Sequence, residues 1–339
     1  MARKELTAIA AITMAVCACT MKAESDSQRV KKAIERSTLD QAGTKPFHLK
    51  AELAPSRPSD ADSGRTGEVE IWWVGPDRWR REVRSPGFHQ IDVVDGAKEW
   101  QKNDSDYFPE WLRETVVALV KPAPYIDDVM NGVNGAEVKR LMGSTYYQWM
   151  TIGSDGAVKK GMGATFAITD ATELEFYGGD VGWGGMYHDY QSFHNRVVGR
   201  TVSVGSPEVT AKITVLEDLK DPPENLFDTG ASSDPLLKTV VVPEMELRKS
   251  LLPTNGPSEW PPVGAGPLEG VTICDVTVDR DGRVREVKTP VSDNPGLNHA
   301  FVDKVMSLRF SPYVVDGRAV QVVSTITMPF KTSRTTDSK

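Results

Sequence analysis

The side chains best suited to chemistry in this 339-residue chain are five histidines, three cysteines and a few acidic or glycine-rich runs. His48, His89, His188, His194 and His299 do not recur at spacings that converge on a metal, and none lies near a nucleophile motif. His188 and His194 flank a strand-like segment and read as surface residues. Asp279-Arg-Asp-Gly-Arg begins like a calcium loop, but its third acidic ligand and the glutamate at the twelfth position are missing. It reads as a hairpin turn. The stretch from Gly178 to Gly185 is rich in glycine, yet it lacks a Lys-Ser/Thr pair and a following helix, so it does not read as a phosphate cradle. It reads as a loop, with a lid over a groove as its functional alternative. No paired carboxylates and no serine elbow stand out. The chain is expected to be no enzyme and to need no cofactor and no metal.

The cysteines point to export. Arg3 and Lys4 precede an apolar run over residues 6–18, and Lys22, Glu24 and Asp26 then restore polarity. A positive start followed by so short an apolar run reads as a secretory signal peptide over residues 1–23; a membrane span needs about 20 apolar residues. Val16-Cys17-Ala18-Cys19 resembles a lipobox, with Cys17 departing from the usual pattern. Two outcomes stay open: lipidation of Cys19, or cleavage nearby, for instance after Ala23. Cys274 alternates with Ile273 and Asp275 and reads as a packed thiol. No disulfide framework can be built from this set. The expected location is the periplasm, membrane-anchored if Cys19 is lipidated.

The elements that would position a site are mostly strands. Residues 28–42 read as an amphipathic helix with Val30, Ala33 and Ile34 on one side. Phe47, Leu49, Ala51 and Leu53 alternate with polar residues at the period of a half-buried strand. A hairpin follows over residues 67–83 around Gly75-Pro-Asp, then strands over 89–94 and 99–101 flank Asp95-Gly96. Pro109 opens a helix over residues 110–120 that Pro122 and Pro124 stop. Strands are expected over residues 146–152, 164–168, 173–177, 186–193 and 209–216. Together they predict an α+β chain whose residues 24–220 form a curved antiparallel sheet, a half-barrel, around a helical plug. Seven of the eight tryptophans fall between Trp72 and Trp183. The inner face therefore reads either as ordinary core or as an apolar groove for an acyl chain or a lipoprotein, built from Val69, Ile71, Trp73, Trp79 and Trp100.

Hydrophobic residues make up 39% of the chain, enough for real cores, and the net charge of -7 argues against nucleic acid as a partner. Eight prolines punctuate residues 221–262, which read as a linker. Beyond it, residues 263–331 give the order strand, strand, helix, strand, ahead of a tail at 332–339. Gly270 to Val278 and Val284 to Lys288 form a hairpin. Asn294 caps a helix that Pro295 opens and that presents Leu297, Phe301, Val305 and Leu308 on one face. A long last strand runs from Ala319 to Phe330.

These pieces resemble the C-terminal domain of the TonB energy transducers. The resemblance rests on Gly270 leading a strand, Val278-Asp-Arg-Asp-Gly-Arg-Val, Arg309-Phe-Ser-Pro-Tyr with Asp316-Gly-Arg-Ala-Val, and Val320 to Phe330. Residues 46–49, 76–78 and 107–109 give the first half a fainter likeness to the LolA and RseB group of periplasmic lipoprotein-binding half-barrels. TonB transducers keep an uncleaved membrane helix, which the short run here does not match. The TonB likeness implies docking of an outer-membrane receptor or another envelope protein by strand addition along Val320, Gln321, Val322, Val323, Ser324, Thr325 and Ile326. Sealing of that edge by a homodimer or by the tail after Lys331 is the alternative. Two functions follow: a non-catalytic envelope adaptor, or a periplasmic carrier or sensor of lipids or lipoproteins whose C-terminal domain is structural.

Overall fold

The computed structural model describes residues 25–124, 136–141, 143–149, 151–152, 158–159, 164–180, 183–205, 209–230, 232–253 and 259–335. The apolar leader, with Cys17, Cys19 and the expected cleavage region, lies outside them. No helix among the described residues is long and apolar enough to cross a membrane.

Helix α1 (Asp26–Ser37) starts at a capping box. Ser25 Oγ accepts from the Gln28 N–H at 3.2 Å, and Gln28 Oε1 accepts from the Ser25 N–H at 3.0 Å, satisfying two otherwise unpaired donors. Val30, Ala33 and Ile34 form its buried stripe, as their spacing predicts. Strand β1 (Phe47–Pro55) buries Phe47, Leu49, Ala51 and Leu53 in strict alternation. β2 (Gly67–Gly75), β3 (Arg78–Ser85), β4 (Phe88–Asp95) and β5 (Lys98–Asn103) then add one after another as antiparallel neighbours. From the β5 edge the chain enters helix α2 (Glu110–Val120), which crosses the inner face against the middle of the sheet.

Beyond α2 come β6 (Ala136–Leu141), β7 (Ser144–Trp149), the two-residue pair β8 (Thr151–Ile152) and β9 (Val158–Lys159), β10 (Thr165–Thr169), β11 (Leu174–Asp180), β12 (Trp183–Phe193), β13 (Arg196–Val204) and β14 (Val209–Asp218). β14 pairs with β1, so twelve strands form one curved sheet in the order β5-β4-β3-β2-β1-β14-β13-β12-β11-β10-β7-β6. β6, β9 and β13 are strands that the sequence pattern did not announce; in β13, Gly199 and Arg200 interrupt the apolar alternation. The glycine-rich stretch is not a loop at its flanks, where Gly178 pairs with Gly184 across the β11–β12 hairpin; residues 181–182 lie outside the described set.

The proline-rich stretch expected as a linker is built into the fold instead. A short 3-10 helix over Glu224–Phe227 covers the outer face of β3 and β4, burying Phe227 under Arg78. Ser233 and Asp234 then clasp the β5 edge: the Asp234 N–H donates to the Gln101 carbonyl at 2.8 Å, and the Asn103 N–H donates to the Asp234 carboxylate at 2.8 Å. Prolines prevent a helix or central strand here but leave side chains and carbonyls free to seal an edge.

The C-terminal sheet comprises β15 (Thr239–Val241), β16 (Glu269–Val278), β17 (Val284–Ser292), β18 (Tyr313–Val315) and β19 (Arg318–Lys331), in the order β15-β19-β16-β17 with β18 also on β19. Helices α3 (Glu244–Lys249) and α4 (Asn298–Ser307) flank it. Leu297, Phe301, Val305 and Leu308 are buried, with Phe301 and Val305 packed on Cys274, Val276 and Val278. The strand-strand-helix-strand order read from the sequence is present, with β15 and β18 as additions too short to announce themselves.

The docking edge read from Val320 to Ile326 is occupied by the chain's own residues. β15 pairs in parallel with Gln321, Val322 and Val323, and the Val242 N–H donates to the Val323 carbonyl at 3.0 Å. Tyr313 of β18 pairs with Val320, Ser324 Oγ donates to the Val242 carbonyl at 2.8 Å, and the Thr327 N–H donates to Glu244 at 2.7 Å. On its other side β19 pairs with β16 from Val322 to Lys331. β19 is thus an inner strand: Val320, Gln321, Val322, Val323, Ser324 and Ile326 are buried, and Thr325 is half-buried. Thr239-Val-Val-Val is β-branched and free of proline, and so forms the strand that fills the edge.

Candidate functional site

Register brings the inner-face residues of β2 and β3 together. Val69, Ile71 and Trp73 alternate inward on β2, opposite Val83, Arg81 and Trp79 on β3. Helix α2 lies over this row, and between them is a cavity of about 190 Å³. Its apolar walls are Ile71, Trp73, Trp79, Val116, Val117 and Val120; Asp40, Arg81 and Lys121 supply its polar groups. Trp73 is stacked on Phe47 with ring centroids 5.3 Å apart, and its indole N–H donates to Asp40 at 3.2 Å. The N–H groups of Leu39 and Asp40 both donate to the Val120 carbonyl, at 2.8 and 3.1 Å, tying the end of α2 beside the cavity.

Of the residues expected to form a groove, Ile71, Trp73 and Trp79 line this cavity. Val69 shares their face but is packed into the core next to it. Trp100 is not part of it. Its partner across β4 is Val93, on the opposite face from Asp92 and Arg81, and its indole N–H donates to the Ser232 carbonyl at 2.9 Å. The tryptophan serves the outer clasp because β5 presents Gln101, not Trp100, inward.

The polar members of the cavity are not announced by residue type. Arg81 has the same strand parity as Trp79 and Val83, and parity alone would have placed it inward. Its guanidinium lies 5.5 Å from the Trp79 ring centroid, donates to Asp92 at 2.7 Å and reaches Gln90 at 3.2 Å. Burial pushes the Asp92 carboxyl above its usual range, and Arg81 pulls against that rise. A charged pair beside an apolar cavity is costly unless hydrogen-bonded; here the Arg81–Asp92 bond offsets part of that cost, while Arg81 Nε and Asp92 Oδ1 are buried without a hydrogen-bond partner.

The other end of α2 is held by the C-terminal sheet. Lys288 of β17 donates to Glu114 at 2.9 Å, the Glu110 N–H donates to Glu286 at 2.8 Å, and the Tyr107 hydroxyl also bonds Glu286. The Gln321 amide bonds both backbone groups of Phe108, accepting at 3.1 Å and donating at 2.9 Å. Burial pushes the Glu114 carboxyl up to about 7, Lys288 opposing the rise and Glu110 adding to it. Burial would lower the Lys288 ammonium, but Glu114, Glu110 and Glu286 outweigh it and hold the amine above its usual range. No group of three His, Cys, Asp or Glu side chains placed to hold a metal occurs among the described residues.

No family model matches the chain, and no curated protein sequence matches it. Among solved structures, it is similar to a LolA-superfamily protein from Nitrosomonas europaea at 10% identity and a TM-score of 0.35, over 58% of this chain and 96% of that one. A DUF1329-family protein from Desulfovibrio piger aligns at 8% identity and a TM-score of 0.34, over 60% of this chain and 95% of that one. MucB in complex with MucA(peri) aligns at 10% identity and a TM-score of 0.28, over 85% of this chain and all of that one. The TonB resemblance of the C-terminal segment rests on its sequence motifs.

Proposed function

We propose that the chain is an exported, non-catalytic carrier or sensor that takes an apolar chain of a lipid or lipoprotein between β2–β3 and α2, with the C-terminal sheet as a structural support. The observation that carries this reading is the cavity of about 190 Å³, walled by Ile71, Trp73, Trp79, Val116, Val117 and Val120. Apolar walls with a few placed polar groups suit a ligand whose affinity comes from burial of hydrocarbon. The carrier reading is preferred to the adaptor because strand addition along β19 would have to displace β15 or β16. Export follows from the leader's charge and length, and lipidation of Cys19 would tether the carrier to a membrane.

Calorimetric titration with dodecanoate tests the reading. A saturable heat with a negative heat-capacity change is expected, as apolar burial produces. Absence of any saturable heat up to the solubility limit of dodecanoate would remove it.

A further inference from the structure

The cavity and the C-terminal sheet grip the same helix. Glu110, Glu114 and Val117 follow one another at four- and three-residue steps and so form one stripe along α2, which ends at Lys121. The Glu114 carboxylate accepts from Lys288 and the Glu110 backbone N–H donates to Glu286, both of the C-terminal sheet, while Val117 and Lys121 line the cavity. Helix α2 is eleven residues long, a rod of roughly 16 Å.

The cavity of about 190 Å³ is smaller than the roughly 300–1,000 Å³ of sites that hold a whole small ligand. It accepts the end of an acyl chain as it stands, and must widen for more. Both walls are regular elements, but β2 and β3 are locked into a twelve-stranded ladder, whereas the body of α2 rests on β13 and β14 through buried side chains such as Leu112, Val116 and Leu119. The Val120 end is tied by two backbone bonds from Leu39 and Asp40. The helix therefore makes room by swinging its Glu110 end, which is the end that the C-terminal sheet holds. That grip is made of side chains rather than a backbone ladder, and Glu114 Oε1 is buried within it with no hydrogen-bond partner.

We infer that α2 is a lever through which the C-terminal sheet regulates the cavity: filling the cavity and seating the sheet on α2 oppose each other. The inference rests on the proposed reading of the cavity and adds its control. Coupling of this kind is reciprocal: whatever factor the chain loosens the seam by, loosening the seam tightens chain binding by the same factor.

The full chain is tested with dodecanoate as the probe, by hydrogen exchange and by binding. Dodecanoate is expected to raise amide exchange in segments spanning residues 107–114 and 318–323, while β13 and β14 stay protected. The double variant Glu114→Gln with Lys288→Met, which removes both charges at similar volume, is expected to bind dodecanoate about fivefold tighter or more, the lower end of usual allosteric couplings. Saturable binding with unchanged exchange at those segments overturns the inference and leaves the cavity reading intact. So does a folded double variant with wild-type affinity. Failure of the wild-type chain to bind dodecanoate overturns both. Should the double variant not fold, the exchange measurement on the wild-type chain decides alone.

Discussion

Lys288 of β17 donates a 2.9 Å hydrogen bond to Glu114 of α2, joining two residues 174 positions apart in a buried seam. Removing one partner of such a pair leaves an uncompensated buried charge, a loss of about 3–5 kcal/mol, whereas replacing both with uncharged residues is often neutral. Lys288→Met alone is therefore expected to lower stability by that amount, and the double variant with Glu114→Gln to recover most of it. Urea unfolding of the wild-type chain and both variants checks this; equal stability of single and double variants would show that the pair is not coupled.

The same carboxyl sets a pH dependence. Its pKa is pushed up from 4.5 to about 7, burial outweighing Lys288 and Arg113 while Glu110 adds to the rise. A group raised on folding contributes stability that is fully present below its unfolded pKa and is lost as pH rises through its folded one. The wild-type chain is expected to lose stability relative to Glu114→Gln between about pH 4.5 and 7. Thermal melts of both proteins across that window measure it, and parallel curves would contradict it.

Two glycines at the turns of the C-terminal sheet separate backbone strain from steric conflict. Gly282 and Gly317 have φ of 81° and 76°, in the left-handed region. A Cβ on Gly282 would also lie 1.8 Å from the Phe310 carbonyl oxygen, whereas one on Gly317 meets nothing within 4 Å. Gly317→Ala is expected to cost about 1–2 kcal/mol, the strain alone, and Gly282→Ala distinctly more. Comparable losses would mean that the hairpin turn does not pack on Phe310 as described.

Cavity and core can be separated by position. Trp73 is 3% exposed and stacked on Phe47, so Trp73→Ala is expected to cost about 3–5 kcal/mol as a core truncation. A charged residue there would test folding more than binding. Val120 is half-buried at the cavity wall. Val120→Glu is expected to abolish dodecanoate binding while the chain still folds, read by calorimetry beside circular dichroism.

The clasp on β5 is a protected edge. The Asn103 N–H and then Lys102 hold the Asp234 carboxylate below its usual range. A depressed carboxylate contributes stability above its unfolded pKa and loses it as pH falls through the folded one. Asp234→Ala, or acid, is expected to free the Asn103 amide and promote self-association along the exposed edge. Sedimentation velocity at neutral pH checks the variant, and a strictly wild-type profile would contradict the assignment.

Much of this fold was legible in the sequence where local pattern decides it. The alternation of Phe47 to Leu53, the stripe of Val30, Ala33 and Ile34, and the Asn294 cap are short-range signals, and each appears where expected. What escaped were long-range outcomes. Pro235 and its neighbours could not reveal that Ser233 and Asp234 would seal an edge more than 130 residues earlier in the chain. The openness of β19 depended on whether Thr239 to Val241 found it. Trp73 and Trp79 were readable as inward by parity, whereas Trp100 was grouped with them by residue type and faces the other way. The lever end of α2 was invisible because Glu110 and Glu114 look like an ordinary solvated face until β17 covers them.

The proposed ligand of the space between β2–β3 and α2 is an apolar chain. Two of its walls are tryptophans, Trp73 and Trp79, so quenching of their fluorescence by a dibrominated stearate reports occupancy directly. The account predicts saturable quenching at one equivalent, reduced in Trp79→Phe and lost in Val120→Glu. Quenching that never saturates, or that survives unchanged in Val120→Glu, would contradict it.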